Sequence, residues 1–209
     1  MGRSANLTVP AKSQKPEANF FCQAYDNASV FGADTQNYAI WGGSAGAALA
    51  IAVAYRLISD GQKDRIAGLV IMGGMFIHPA EVPSCYRHLH TSYADNSGDI
   101  PVVTGDNMRL AYQMFVGEDQ IGNVRWFPVA NAPESLSRFP KTYIVNTDLE
   151  ACRDDGTVLE AALKDDGVEV KRDVVPALPH YFWVFPVDKA GRAFREMLAE
   201  GIRWVFSQR

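Results

Sequence analysis

The sequence carries little excess of either charge and has no long hydrophobic run. Its 20 lysines and arginines face 24 aspartates and glutamates, which leaves a formal net charge of −4. That balance argues against nucleic acid or an anionic membrane surface as the main partner. The apolar segment after Ser44 is interrupted by Arg56 and Asp60, so no stretch is long enough to span a bilayer.

Cysteine is also scarce. Cys22, Cys85 and Cys152 are the only three, and they show neither a metal-ligand spacing nor an even-numbered disulfide pattern. They are interpreted as reduced thiols of an intracellular protein. Residues 1–15 are polar and lack the apolar core of a secretory signal, so the expected location is the cytoplasm.

Signals for metals and cofactors are missing as well. His88 and His90 have no third ligand at a usable spacing. The Gly42-Gly43 pair is followed by neither a G-x-G-x-x-G pattern nor a phosphate-binding lysine. The sequence therefore predicts no metal and no cofactor.

What is present indicates an α/β domain. A chain of 209 residues fits one domain, with residues 1–18 as a flexible arm and residues 19–209 as the folded unit. Strands alternate with helices, which predicts a mainly parallel sheet flanked by helices. The irregular segment 75–138 is expected to form a cap or pocket insertion between the second and third strands. The predicted strands are Tyr38–Trp41, Arg65–Met72, Lys141–Asn146 and Val168–Val175, and the main helices are Ala45–Ile58, Thr157–Asp166 and Ala190–Ser207.

A G-x-S-x-G pattern lies between the first strand and the first long helix. It predicts a sharp turn that lifts Ser44 clear of the sheet as a candidate nucleophile, with Gly42, Gly43 and Gly46 building the turn. A Cβ at Gly42 or Gly46 is expected to clash. The backbone N–H of Ala45 would lie at a helix N-terminus, where it can donate to a developing oxyanion. The alternative is a plain Gly-Ser turn between a buried strand and a buried helix.

A serine nucleophile needs a base and a group that orients the base. On an α/β sheet the expected chain order is serine, acid, histidine. His180 follows the last strand and is the candidate base. The acid should follow the third strand, where spacing alone does not choose among the carboxylates of Asp148, Glu150, Asp154 and Asp155.

Three segments together resemble the hormone-sensitive-lipase-like carboxylesterase branch of the α/β-hydrolases: Gly42–Ala48, Arg153–Gly156 and Pro179–Phe182. The resemblance implies an α/β-hydrolase fold and a serine carboxylesterase. In that family an Asp-Pro-Leu-Arg-Asp-type motif follows the third strand, and its first Asp is the acid. This position falls on Glu150, with Asp148 as the alternative. The implied substrate is a small or medium ester, such as an acetyl or polyketide ester of secondary metabolism, hydrolysed through an acyl-enzyme.

The sequence departs from the family before the turn. The family's His-Gly-Gly-Gly oxyanion loop has no counterpart in residues 1–43, so the fold is expected to be truncated. The sequence does not identify which group would supply the second hydrogen bond to the oxyanion. The Tyr38–Trp41 strand would become a sheet edge, and a homo-oligomer or a partner chain is expected to cover it. A non-hydrolytic descendant (a lyase, a cyclase or a binding protein) and a truncated pseudoenzyme are the alternatives.

Overall fold

A computed structural model describes residues 16–116, 120–124, 127–186 and 188–207. Its sheet has four parallel strands that pair in chain order. This confirms the predicted α/β architecture. The strands are β1 (Ala39–Gly43), β2 (Gly68–Met72), β3 (Thr142–Leu149) and β4 (Val170–Pro179).

Helices connect the strands and cover both faces of the sheet. In the described part of the chain, none of them combines the length and apolar character needed to cross a membrane. A π-helical turn, Tyr112–Val116, continues α4. The α-helices are α1 (Pro16–Asp26), α2 (Ala45–Ser59), α3 (Ser92–Asp95), α4 (Gly105–Ala111), α5 (Pro128–Asn131), α6 (Arg153–Asp165) and α7 (Asp188–Phe206).

Strand β2 lies at the centre of the core, and all five of its residues are buried. Because side chains alternate along a strand, Leu69 and Ile71 pack into one apolar layer and Val70 and Met72 into the other. The first layer includes Ile51 and Leu57 of α2 and Leu159 and Leu163 of α6. The second includes Tyr143 of β3 and Phe194 and Leu198 of α7. Burial on both faces explains why this strand is a continuous hydrophobic run.

The segment between β2 and β3 is built of short helices and turns, and it is fastened to the start of α6. Asp155 accepts hydrogen bonds from the backbone N–H groups of Phe76 and Ile77 at 2.9 and 3.0 Å, and its other oxygen lies 2.8 Å from His90 Nε2. Asp154, beside it, accepts from the N–H groups of Thr91 and Ser92 at 2.9 and 2.8 Å. Two buried carboxylates thus hold this segment over the carboxyl ends of the strands.

Strand β1 is the edge of the described sheet, as expected, because β2 is its sole neighbour there. The side chain of Trp41 is 58% exposed, and its indole N–H lies 2.8 Å from the Met72 sulfur. An apolar groove runs along this edge, lined in part by Tyr38, Ile202 and Phe206. Of the predicted arm (residues 1–18), residues 1–15 lie outside the described residues. The remaining three belong to α1, which begins at Pro16.

Candidate active site

Ser44 is the single residue between β1 and α2, and its backbone is strained. Its φ of 54° and ψ of −124° are unusual for a residue with a side chain. Such a conformation costs about 1–3 kcal/mol and persists only where the surroundings fix it. Here the Ser44 N–H donates to the carbonyl oxygen of Met72 at 2.8 Å, which ties the turn to β2.

The glycines around Ser44 have different roles. A Cβ on Gly42 would overlap the carbonyl oxygen of Gly46, and a Cβ on Gly43 would overlap the hydroxyl of Tyr181. The prediction that a Cβ at Gly46 would clash is wrong, because no atom of the surroundings lies within 4 Å of the place it would take. Gly46 already belongs to the first turn of α2, so its own Cβ would point into open space while its carbonyl crowds Gly42.

Ala45 begins α2 and is exposed. The first N–H groups of a helix have no acceptor within the helix, and they lie at the positive end of its dipole. The Ala45 N–H therefore has the properties required of an oxyanion donor next to Ser44.

His180 lies between Ser44 and Glu150. Its Nε2 is 3.0 Å from Ser44 Oγ, and its Nδ1 is 2.6 Å from Glu150 Oε2. His180 and Glu150 are both buried. They meet because β3 and β4 are parallel neighbours that end at the same edge of the sheet, with Glu150 and His180 as the first residues after them. The structure thus brings the predicted nucleophile, base and acid into one hydrogen-bonded line.

Glu150 is held by its own hydrogen bonds. Its Oε1 accepts from Asn146 Nδ2 at 2.8 Å and from the Thr147 backbone N–H at 3.0 Å, which leaves Oε2 for His180. Asn96, which lies in the segment between β2 and β3, donates from its side-chain amide to the Glu150 carbonyl oxygen at 3.0 Å. The carboxylate is therefore fixed in the orientation that faces the imidazole.

The competing carboxylates lie elsewhere. The Asp148 side chain is half-exposed and lies 3.6 Å from the Arg153 guanidinium. Burial opposes ionisation of Asp154, but its hydrogen bonds from Arg153 and from the backbone outweigh this effect and lower its pKa to about 2. Asp155 binds His90 instead of His180. Of the four carboxylates considered, Glu150 is the one that contacts the candidate base.

Sequence reasoning did not single out two residues that touch this site. Cys152 is buried, and its thiol lies 3.4 Å from the Gly73 carbonyl oxygen and 3.9 Å from His180 Nδ1. Burial and the nearby carboxylate of Glu150 raise the pKa of this thiol well above its usual range. Gly73 has a φ of 54°, and a Cβ on it would lie 3.0 Å from Glu150 Oε2. The sequence feature that could have pointed to Gly73 is the Gly73-Gly74 doublet, which directly follows a buried strand.

Similarity to known proteins identifies the family of this chain. The sequence profile described as the alpha/beta hydrolase fold matches residues 11–184. This chain belongs to the α/β-hydrolase family. The resemblance to its hormone-sensitive-lipase-like branch is confirmed.

Relatives of this α/β-hydrolase include two curated fungal proteins named versiconal hemiacetal acetate esterase. The one from Dothistroma septosporum is 35% identical over 183 residues, which are 87% of this chain and 55% of that protein. The one from Aspergillus parasiticus is 30% identical over 175 residues, 82% of this chain and 54% of that protein. The chain thus spans about half the length of the curated relatives it matches. The crystal structure of vibralactone cyclase superposes with a TM-score of 0.82 at 23% identity, over 95% of this chain and 59% of that one.

Proposed function

We propose that this α/β-hydrolase chain is a serine carboxylesterase that hydrolyses small or medium carboxylic esters. The observation that carries the proposal is the continuous line from Ser44 Oγ through the His180 ring to Glu150, with steps of 3.0 and 2.6 Å. The names of the fungal relatives support an ester as the substrate class. The three free thiols fit the reducing cytoplasm proposed as its location.

In the proposed reaction, Ser44 Oγ attacks the acyl carbon while His180 Nε2 takes the hydroxyl proton. The Ala45 N–H stabilises the negative charge that develops on the carbonyl oxygen. His180 then returns the proton to the leaving alcohol, which frees it and leaves an acyl-enzyme on Ser44. Water, deprotonated by His180, then attacks the acyl carbon; the bond to Ser44 Oγ breaks, His180 returns the proton to Ser44, and the carboxylic acid leaves. Glu150 keeps the Nδ1–H tautomer in place and stabilises the imidazolium that forms twice in each cycle.

The proposed substrate class is an acetyl or polyketide ester of secondary metabolism. Its support is the name that the two relatives share, versiconal hemiacetal acetate esterase.

The proposal is tested by comparing the purified protein with its Ser44→Ala variant on p-nitrophenyl acetate. Loss of the nucleophile should lower kcat by roughly 10⁴–10⁶-fold. Ser59→Ala, at the far end of the same helix, is the matched control and should keep the full rate. A fluorophosphonate probe should label the parent at Ser44 and leave the Ser44→Ala variant unlabelled.

Two outcomes would favour the alternatives. Equal rates for parent and Ser44→Ala, without labelling, would indicate a pseudoenzyme or a binding protein. Labelling of Ser44 without release of a free acid from an ester would instead indicate a lyase or a cyclase.

A further inference from the structure

The base and the acid of the proposed site share their surroundings with a thiol that the proposed reaction does not use. One ligand atom from each of Glu150, Cys152 and His180 lies within 4.8 Å of the other two, and all three residues are buried. A carboxylate, a thiol and an imidazole converge here on one point between β3, β4 and the end of β2. These are three of the ligand types that Zn²⁺ prefers in proteins.

We propose that Glu150, Cys152 and His180 form a binding site for one divalent ion of the Zn²⁺ type, and that its occupation reversibly blocks the ester hydrolysis proposed above. The inhibition rests on the proposed function, whereas the metal site does not. Three protein ligands and one open position are an established arrangement for zinc. The Gly73 carbonyl oxygen lies beside these three residues, 3.4 Å from the Cys152 sulfur.

The distances are close to those of a bound ion. Tetrahedral zinc places an imidazole nitrogen about 3.4 Å from a carboxylate oxygen and about 3.6 Å from a thiolate sulfur. In the structure these separations are 2.6 Å for Glu150 Oε2 and 3.9 Å for Cys152 Sγ, both measured from His180 Nδ1. Each differs from the bound geometry by less than about 1 Å, and binding requires the Glu150 carboxylate and the His180 ring to move apart, which breaks their hydrogen bond.

Gly73 lies directly beside this cluster. The place that a Cβ on Gly73 would take lies 3.0 Å from Glu150 Oε2 and 3.1 Å from His180 Nδ1. Because this residue is a glycine with a φ of 54°, that volume holds no side chain. A side chain at this position would press on both the Glu150 carboxylate and the His180 ring, so the glycine keeps the two ligand groups free of a further contact.

Binding would remove the base from the proposed reaction. The ion displaces the Nδ1 proton of His180 and the thiol proton of Cys152, and both protons pass to solvent. It also replaces the hydrogen bond between His180 and Glu150. A cation on Nδ1 disfavours a second positive charge on the ring, so Nε2 can no longer accept the proton of Ser44.

The metal site is tested first in the Ser44→Ala variant, where hydrolysis plays no part. The metal-stripped protein is titrated with Co²⁺, with thiolate-to-cobalt charge-transfer absorption as the readout, and then with Zn²⁺ in competition with a chromogenic chelator. We expect one equivalent of metal and a thiolate band. Adding Cys152→Ala should abolish the band and weaken Zn²⁺ binding by at least about 100-fold. Cys85→Ala, at an exposed free thiol, is the matched control and should leave both unchanged.

Several results would overturn the metal site. These are the absence of uptake by the Ser44→Ala protein, equal uptake after Cys152→Ala, and loss of the band on Cys85→Ala. Cys152→Ser, which keeps the side-chain volume, should also lose the band, and thermal unfolding checks that each variant is folded. Inhibition is then measured on the parent, where Zn²⁺ should suppress hydrolysis and EDTA should restore it. A metal-saturated parent that still hydrolyses esters at its full rate would refute the inhibition and leave the site standing.

Discussion

At the scale of single residues, Glu150 is held so that only one of its oxygens faces His180. In a Glu150→Gln variant, Oε1 would keep the two donors from Asn146 and Thr147, so the amide NH₂ would face His180 Nδ1. That contact selects the tautomer with the proton on Nε2, which cannot accept the proton of Ser44. We expect kcat to fall by roughly 10²–10⁴-fold with the fold intact.

Steady-state hydrolysis of p-nitrophenyl acetate and a circular dichroism spectrum measure both parts of this prediction. Asp148→Asn is the matched control, since this half-exposed carboxylate contacts Arg153. A larger loss from Asp148→Asn than from Glu150→Gln would show that the acid is assigned to the wrong residue.

Two glycines of the turn offer a paired test of backbone crowding. Gly42→Ala places a methyl group on the carbonyl oxygen of Gly46, so it should destabilise the fold by about 1–3 kcal/mol or more. Gly46→Ala meets open space within a helix, where alanine is favoured over glycine by up to about 1 kcal/mol. Urea unfolding should therefore move the two midpoints in opposite directions. Equal losses in both variants would contradict the described geometry.

Sequence order predicted Ser44 and His180 because each follows a strand in the order expected for an α/β sheet. The choice of Glu150 among four carboxylates came from the resemblance to the hormone-sensitive-lipase-like family. The sequence did not predict that Cys152 and Gly73 touch them. Their contacts depend on how the ends of β2, β3 and β4 align, and Cys152 and His180 are 28 residues apart along the chain. Sequence patterns for metal sites describe ligands that are close together along the chain. They do not detect residues that meet only because the ends of different strands lie side by side.

At the scale of elements, α6 begins four residues earlier than its predicted start at Thr157. The acidic run Asp154-Asp155 resembles a solvated loop in the sequence. In the structure it forms the first turn of the helix, where it accepts hydrogen bonds from the segment after β2. Carboxylates are favoured near a helix N-terminus, and these partners are distant in sequence, so hydrophobic periodicity did not reveal them.

The contact between His90 and Asp155 predicts a pH dependence of stability. Burial alone would lower the pKa of His90, but the hydrogen bond and charge of Asp155 outweigh it and raise this pKa above 6.5. A group whose pKa rises on folding stabilises the folded state fully at pH values below its pKa in the unfolded chain. This contribution is lost as the pH rises through its pKa in the folded protein. The stability difference between the parent and His90→Gln should therefore be largest below about pH 6.5 and shrink towards pH 9.

Urea titrations at several pH values between 5.5 and 9 measure that difference. His88→Gln, two residues away, serves as the control and should follow the parent at each pH. A difference that grows with pH would contradict the raised pKa.

At the scale of the whole molecule, the exposed edge at β1 predicts self-association. Trp41 is 58% exposed beside an apolar groove, and an unpaired strand edge readily accepts another strand. We expect light scattering after size-exclusion chromatography to give a mass above the 23.0 kDa of one chain, with a shift towards that value on dilution. Trp41→Lys should favour the smaller species.

The matched control for the edge is Val184→Lys, which places the same charge on another exposed apolar residue outside the groove. It should associate like the parent. A parent that elutes as a monomer at all concentrations, or an equal effect of both lysines, would argue against an interface at β1.

The strict chain order of the four strands also has a consequence for synthesis. Each strand pairs with the one translated just before it, so the sheet can grow by one strand at a time as the chain leaves the ribosome. Ser44 and His180, however, are 136 residues apart, and the second follows the last strand. A nascent chain can therefore bury much of its core while the hydroxyl of Ser44 still lacks its imidazole. The proposed triad is therefore completed only after β4 has been translated, so reactivity at Ser44 would report that the chain has folded at least as far as His180.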